Sequence, residues 1–427
     1  MKKPIIRHLK NGIPVILSPQ KGAASMTVFV FCRVGSRYET KDINGASHFI
    51  EHLMFKGTRR RKDTQVLTRL LDQYGAEYNA MTSKDYTGYY VKIDASQTPL
   101  AVDLLHDMLF HSTYASKEIN RERGVIIEEI NMYEDNPRMH IEDLLEEALF
   151  PGSTLGWNIA GPREVIRTVP RRKLIEYRDA YYIPERLTVV IAGNVAENIM
   201  SLLDRTFGSV PRPVQRYDAD YRPFQAPRAL TSPLKIQEKN TEQVQIGMAF
   251  YGLPLHHSDV PAATLLATIL GGTMSSRLFI QVRERRGLCY SIQAGHQPLE
   301  DTGIFSILSG LDKRRLPEAV KTIFDELKKI QRVPVSPKEL RQAKQNIRGR
   351  VTLAFEESQF QADWYGKQLM FLNKIETPEE RMTRIQNVTA GDIRRVARDI
   401  FRPHAMAASV IGPFRNTSAL EKIFKME

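Results

Sequence analysis

Cysteine is nearly absent: the 427-residue chain carries only Cys32 and Cys289. Two thiols make no disulfide framework, which excludes a stapled secreted scaffold and points to a reducing, cytoplasmic setting. No run of about 18 apolar residues occurs, so no membrane-spanning helix is expected. The N-terminus opens on Lys2 and Lys3 with no apolar stretch behind them, unlike a secretory signal. Hydrophobic residues make up 42% and charged residues 26%, which excludes a disordered or collagen-like chain. The length suits two or three domains at about 100–200 residues each.

Against 61 Lys and Arg stand 49 Asp and Glu, a net charge of +12. Such a balance raises nucleic acid or another anionic surface as a partner. The charge is spread along the chain, however. Its one dense run, Arg59-Arg60-Arg61-Lys62, is short. No zinc-finger, RNA-recognition or helix-turn-helix signature accompanies it, so no nucleic-acid partner and no membrane partner are expected.

Patterning divides the chain near its middle. Residues 209–228 hold Pro211, Pro213, Pro223 and Pro227 with almost no apolar periodicity, a linker composition. The expected organisation is an N-terminal domain over 1–210, a linker over 211–230 and a C-terminal domain over 231–427. Apolar residues flank Asn11-Gly12, which predicts a hairpin with a two-residue turn. Strands are expected at 26–34, 78–81, 86–93 and 187–192, and helices at 46–55, 64–74 and through 99–182. The second half reads similarly, with strands near 234–237, 244–250, 289–294, 303–309 and 405–411, and helices at 260–270 and 317–400. Each half ends on the order helix, aromatic, proline, strand, glycine: Tyr182-Ile183-Pro184 before LTVVIAG, and Phe401-Arg402-Pro403 before AMAASVIG. This implies a duplication. The fold class expected is α+β, with two related domains, each a mostly antiparallel mixed sheet with helices on one side.

The chemistry concentrates in His48-Phe49-Ile50-Glu51-His52. On a helix, residues i and i+4 share a face, so both imidazoles can address one ion, with Glu51 on nearly the same side. Two imidazoles at this spacing suit Zn²⁺, and the neighbouring carboxylate can take a proton from water at the metal. H-x-x-E-H is the inverted form of the H-E-x-x-H metallopeptidase motif. A catalytic zinc needs a third protein ligand. The segment 117–134 offers Glu118, Glu122, Glu128, Glu129 and Glu134. Glu122 and Glu129, seven apart, align within about 20°. Spacing alone leaves Glu128 and Glu129 both open.

The whole chain resembles the pitrilysin-like zinc peptidases, the family of insulin-degrading enzyme and mitochondrial processing peptidase, in its small half-length form. The resemblance rests on HFIEHLMFKGT at 48–58 and on a glutamate at the matching separation in ERGVIIEE at 122–129. It implies His48, His52 and Glu129 as ligands of one zinc per chain, Glu51 as the base that activates water, and Glu122 as an additional active-site glutamate. Asn79-Ala80-Met81-Thr82-Ser83 and Tyr86-Thr87-Gly88-Tyr89-Tyr90 resemble the family's edge-strand region, where extended substrate adds as a further strand. SSRLFIQVRERRGLCYSI at 275–292 resembles a second signature, in which Arg283 and Tyr290 bind substrate backbone and stabilise an oxyanion.

The expectation is therefore a zinc metalloendopeptidase of extended peptides or unfolded segments. Larger family members join two such halves in one chain. The resemblance thus implies a homodimer in which two copies complete each other's sites in a closed chamber. The alternative is a non-catalytic structural or partner subunit. Family members of that kind typically lose zinc ligands, and here H-x-x-E-H is intact.

Overall fold

A computed structural model describes residues 3–212, 221–230, 233–414 and 417–426. Two sheets carry it. The first holds β1 (Ile5–His8), β2 (Pro14–Pro19), β3 (Ser25–Cys32), β4 (Glu77–Thr82), β5 (Thr87–Asp94) and β6 (Leu187–Gly193), in the order β1-β2-β6-β3-β5-β4. The second holds β7 (Leu234–Glu238), β8 (Gln243–Tyr251), β9 (Cys289–Pro298), β10 (Gly303–Asp312) and β11 (Met406–Gly412), in the order β7-β11-β8-β10-β9. In the first sheet only β2 and β6 run parallel, and in the second only β7 and β11. Leave out β1, and the two orders coincide strand for strand. The similar chain ends form equivalent strands, β6 and β11, each buried along its whole length. The fold is the expected α+β class with mixed sheets.

The N-terminal hairpin forms, but its turn is longer than two residues. Leu9 and Ile13 are buried, and the Leu9 N–H donates to the Ile13 carbonyl at 2.9 Å. Three residues, 10–12, therefore make the turn, with Gly12 at φ +88°. That is the three-residue loop with a left-handed glycine.

Burial then sets the helices. Helix α1 (Ala46–Met54) follows β3, and helix α2 (Ser116–Asp135) lies further along. Asn136 stops the chain after α2 and accepts the Arg138 N–H at 3.1 Å, which caps helix α3 (Pro137–Leu149) ahead of its leading proline. On β3, Met26, Val28 and Val30 join one core with Phe49, Ile50, Leu53 and Met54 of α1. The alternate residues Thr27, Phe29 and Phe31 face the other way. They are covered too, by helix α4 (Ser358–Leu372). The Thr27 and Ser358 hydroxyls lie 2.8 Å apart, and the Ser18 hydroxyl donates to Gln361 Oε1 at 2.8 Å. The second sheet repeats the device with α3. The Ser409 hydroxyl donates to the Ile141 carbonyl at 3.0 Å, and Leu145 and Leu149 cluster with Ala249 and Ala407. Each sheet thus has its own helices on one face, and one helix from the other half of the sequence on the opposite face.

The compact units are accordingly discontinuous. One comprises Met1–Asn131, Trp157–Tyr221 and Thr352–Thr377, the other Met132–Gly156, Arg222–Val351 and Pro378–Glu427. The contiguous boundaries 1–210 and 231–427 miss this exchange, because nothing in the pattern of one helix names the sheet that it covers. Of the expected linker, residues 213–220 lie outside the described residues.

One position on α4 tests the packing. A Cβ at Gly366 would sit 2.2 Å from Cε2 of Phe31, whose ring is fully buried and stacked on Phe29 at 4.0 Å. Alanine normally gains about 1 kcal/mol over glycine in a helix. Gly366→Ala is expected to reverse that sign and cost about 1–3 kcal/mol through overpacking. A lowered thermal midpoint checks it.

Candidate metal centre

Helix α1 needs an N-terminal cap, and no Ser, Thr, Asp or Asn side chain supplies it. Gly45 precedes the helix at φ +97°, where a Cβ would lie 2.6 Å from the Ala160 carbonyl oxygen. The cap comes from Glu39. Its carboxylate accepts the N–H groups of Gly45 and Ser47, each at 2.7 Å, and the Asn44 carboxamide at 2.9 Å. Only 3% of Glu39 is exposed. Burial pushes its pKa up to about 7 against these donors. An anion here suits the helix N-terminus. With one face of α1 locked into the core, His48, Glu51 and His52 lie on the other, partly exposed.

Two imidazole nitrogens and one carboxylate oxygen converge. His48 Nε2 and His52 Nε2 are 3.3 Å apart, and Glu129 Oε2 lies 3.6 Å from the first and 3.3 Å from the second. Two donors on a tetrahedral zinc with bonds of about 2.0–2.1 Å lie about 3.3 Å apart. The donor set and its spacing therefore fit zinc. Among the described residues it is the one group of three such donors. The choice between two glutamates is made by α2, which brings Glu129 in and leaves Glu128 exposed beside Asn131.

Glu122, one helical heptad before Glu129, holds the cluster from behind. It is 1% exposed. Its Oε2 sits 3.2 Å from His52 Nδ1, and its Oε1 sits 2.9 Å from Lys56 Nζ. Burial alone would raise Glu122, yet its hydrogen bonds to His52 and Lys56 bring it below the usual carboxylate range. A carboxylate at Nδ1 fixes the tautomer that leaves the Nε2 lone pair for a metal. Burial presses on His52 as well, but its bonds to Glu122 and Glu129, with the charges of Glu129 and Glu51, raise it to about 9. Burial and the neighbouring His52 lower His48 to about 4. Without a metal, the protonated His52 ring thus donates to both carboxylates, through Nδ1 to Glu122 and through Nε2 to Glu129.

Glu51 is raised chiefly by burial, opposed by a hydrogen bond from the Thr82 hydroxyl. Asn79 and Ala80 lie on β4, the outermost strand of the first sheet. The Ala80 N–H donates to the Asn79 side-chain oxygen at 2.9 Å, so that edge donor is met within the chain. In the second unit, Arg283 lies on a π-helical segment, Phe279–Glu284. Its guanidinium carbon is 4.7 Å from the Phe279 ring centroid and 5.2 Å from that of Tyr290. The Tyr290 side chain is 71% exposed at the start of β9. The sequence reading missed Glu39, Lys56 and Thr82. Only Lys56 had a signal, its position four residues after His52.

Comparison with known proteins divides the chain contiguously. Residues 15–163 match the family described as Insulinase (Peptidase family M16), and residues 168–347 the one described as Peptidase M16 inactive domain. The Bacillus subtilis protein named "uncharacterized zinc protease YmxG" is 34% identical over 95% of this chain and 98% of its own length. The Streptomyces coelicolor protein named "uncharacterized zinc protease SCO5738" is 32% identical over 96% of this chain and 90% of its own. The crystal structure of a protease from Helicobacter pylori matches with a TM-score of 0.90 at 21% identity, over 96% of this chain and 99% of that one. A Pseudomonas fluorescens structure described as a peptidase M16 inactive domain matches at 0.88 and 16% identity, over 97% and 99%. These structures share the two-sheet fold.

The protonation of His52 has a measurable consequence. Its pKa of about 9 keeps it charged at pH 7, whereas a ligand nitrogen must be neutral. Zinc binding at pH 7 is expected to release about one proton, and apparent affinity to fall about tenfold per pH unit between pH 9 and 7. Calorimetry in buffers of different ionisation enthalpy reads both. Glu122→Gln is expected to weaken zinc by about 10–100-fold.

Proposed function

Because the chain belongs to peptidase family M16, we propose that it is a zinc-dependent metalloendopeptidase of extended peptides or unfolded segments. The observation that carries this reading is the triangle of His48, His52 and Glu129 donors with Glu51 on the same helix face. His48, His52 and Glu129 would hold one zinc per chain. When bound, zinc supplies a Lewis acid that polarises a carbonyl and acidifies water.

The side chains do the rest. Glu122 and Lys56 hold His52 in its ligating tautomer. Glu51 accepts the proton of the attacking water and delivers it to the leaving amine. An unfolded segment lies along β4 beside Asn79 and Ala80, adding a strand to the sheet. Its carbonyl displaces the Asn79 oxygen from the Ala80 N–H. Arg283 and Tyr290 bind substrate backbone and offer fixed donors to the developing oxyanion. A non-catalytic subunit has no use for a metal triangle and a base together, which sets that alternative aside. Among the described residues no helix is long and apolar enough to cross a membrane. Cys32 and Cys289 are both unpaired, which supports a reducing compartment, the cytoplasm.

We further propose a homodimer, in which the Arg283 and Tyr290 of one copy serve the zinc of the other. The exposed Tyr290 ring supports this reading.

Glu51→Gln is expected to lose about 10²–10⁴-fold in kcat/KM while still binding zinc, and a chelator to stop cleavage by the wild type. Full cleavage by the variant refutes the base. In sedimentation with a peptide assay on the same sample, activity is expected in the dimer. A fully active monomer removes the dimer.

A further inference from the structure

Strand β4 does more than present an edge. Its side chains alternate between faces. Tyr78, Ala80 and Thr82 share one face, and this is the face toward α1. The Tyr78 ring packs 6.4 Å from that of Phe55, just beyond α1, and Ala80 is buried in the same core. Met81 lies on the other face, where the Tyr86 hydroxyl reaches its sulfur at 3.9 Å. Thr82 thus arrives beside the catalytic helix by strand register, and its hydroxyl donates to Glu51 Oε2. Among the described residues no other hydrogen-bond partner of the Glu51 carboxylate is present. No donor from the described residues reaches its second oxygen, Oε1.

The turn that follows fixes this register. The Ser83 N–H donates to the Tyr86 carbonyl at 2.8 Å, and the N–H groups of Ser36 and Arg37 donate to the Ser83 and Lys84 carbonyls, each at 3.1 Å. A Cβ at Gly35 would lie 2.2 Å from the Ser83 carbonyl oxygen, so the two segments touch backbone to backbone. Asp85 pairs with Arg37 at 2.7 Å, both buried, and Lys84 Nζ donates to the Trp157 carbonyl at 2.5 Å. A slip of one residue would turn Thr82 to the opposite face and leave Glu51 without its donor.

We propose that Thr82 is the positioning residue of the general base: its hydroxyl tethers one oxygen of Glu51 and keeps the other free for the attacking water. The inference rests on the peptidase reading and names a further residue of that site. It also ties recognition to chemistry. The strand that would receive the peptide backbone at Asn79 and Ala80 carries, two residues on from Ala80, the group that orients the base.

Thr82→Val keeps the shape of the side chain and its strand preference, and removes only the donor. Thr82→Ser keeps the donor. The expected result for T82V is a fall in kcat of about 10²-fold with KM within about threefold, unchanged zinc content and an unchanged thermal midpoint. T82S is expected to recover most of kcat. Crystal structures of both variants give a readout apart from turnover: one Glu51 conformer in T82S, and a displaced or divided carboxylate in T82V. Wild-type kcat in T82V overturns the proposal. So does an equal loss in T82S, or a loss that tracks missing zinc. Absence of zinc-dependent cleavage by the wild type overturns the peptidase reading instead, and the Glu51 conformers then still decide what Thr82 does.

Discussion

Two imidazole nitrogens and a carboxylate oxygen sit within 3.3–3.6 Å of one another, an arrangement held together by a proton on His52 or by a metal ion that replaces it. The surrounding structure makes that crowding tolerable. Phe49, Ile50, Leu53 and Met54 hold α1 in the core, so the histidines cannot turn aside. Glu39 satisfies the N–H groups that begin the helix. Glu122 would be costly as a buried charge alone, but Lys56 on one oxygen and His52 on the other compensate it. Removing either partner leaves a buried carboxylate short of a counter-charge. The candidate metal centre is thus a chain of dependencies, and Glu39 and Glu122 behind it are buried more deeply than the ligands.

The second sheet shows what the scaffold looks like without that burden. Its strands repeat the order of the first, and the helix after its central strand β8 is Val260–Gly271. That helix occupies the place in the repeat that α1 holds in the first. It carries no charged residue and no histidine, and it is buried almost throughout. With no ligand residues to present, the position is plain core. On the proposed reading this unit contributes through the segment that follows, where Arg283 rides on a π-helical turn, a device that often marks a functional position. The strand order repeats between the two sheets, and the three-donor cluster lies beside the first alone among the described residues.

The sequence made local periodicity legible and long-range partnership illegible. His48, Glu51 and His52 could be placed on one face because the helical repeat is known in advance. Glu122 and Glu129 could be aligned for the same reason. The choice of Glu129 over Glu128 needed the family resemblance, because a 100° rotation between neighbours means nothing until the direction of α1 is known. Glu39 and Thr82 belong to another class. They reach α1 across a loop and across a strand, and no spacing rule links them to it. Helix α4 was legible as a helix, but its host sheet was not, since Ser358, Gln361 and Gly366 look unremarkable until Thr27, Ser18 and Phe31 stand opposite them. The Asn11-Gly12 turn failed by a single pair, because the burial of Leu9 and Ile13 outweighed the two-residue preference.

On the proposed reading, the placement of Glu51 and the recognition of substrate share one strand. An edge strand recognises backbone, and backbone is the same in every peptide. Selection by β4 is then chiefly for extension, because a folded segment has its amides already paired. The position of the scissile bond relative to the base follows from the register at Asn79 and Ala80, and the position of the base follows from Thr82 on the same strand. Any motion of β4 along its axis would carry substrate and base anchor together. A peptide displaced by two residues would find the same hydrogen bonds but put a different carbonyl at the metal. Side-chain pockets are therefore needed only to choose among registers two residues apart, a much smaller discrimination than choosing among sequences.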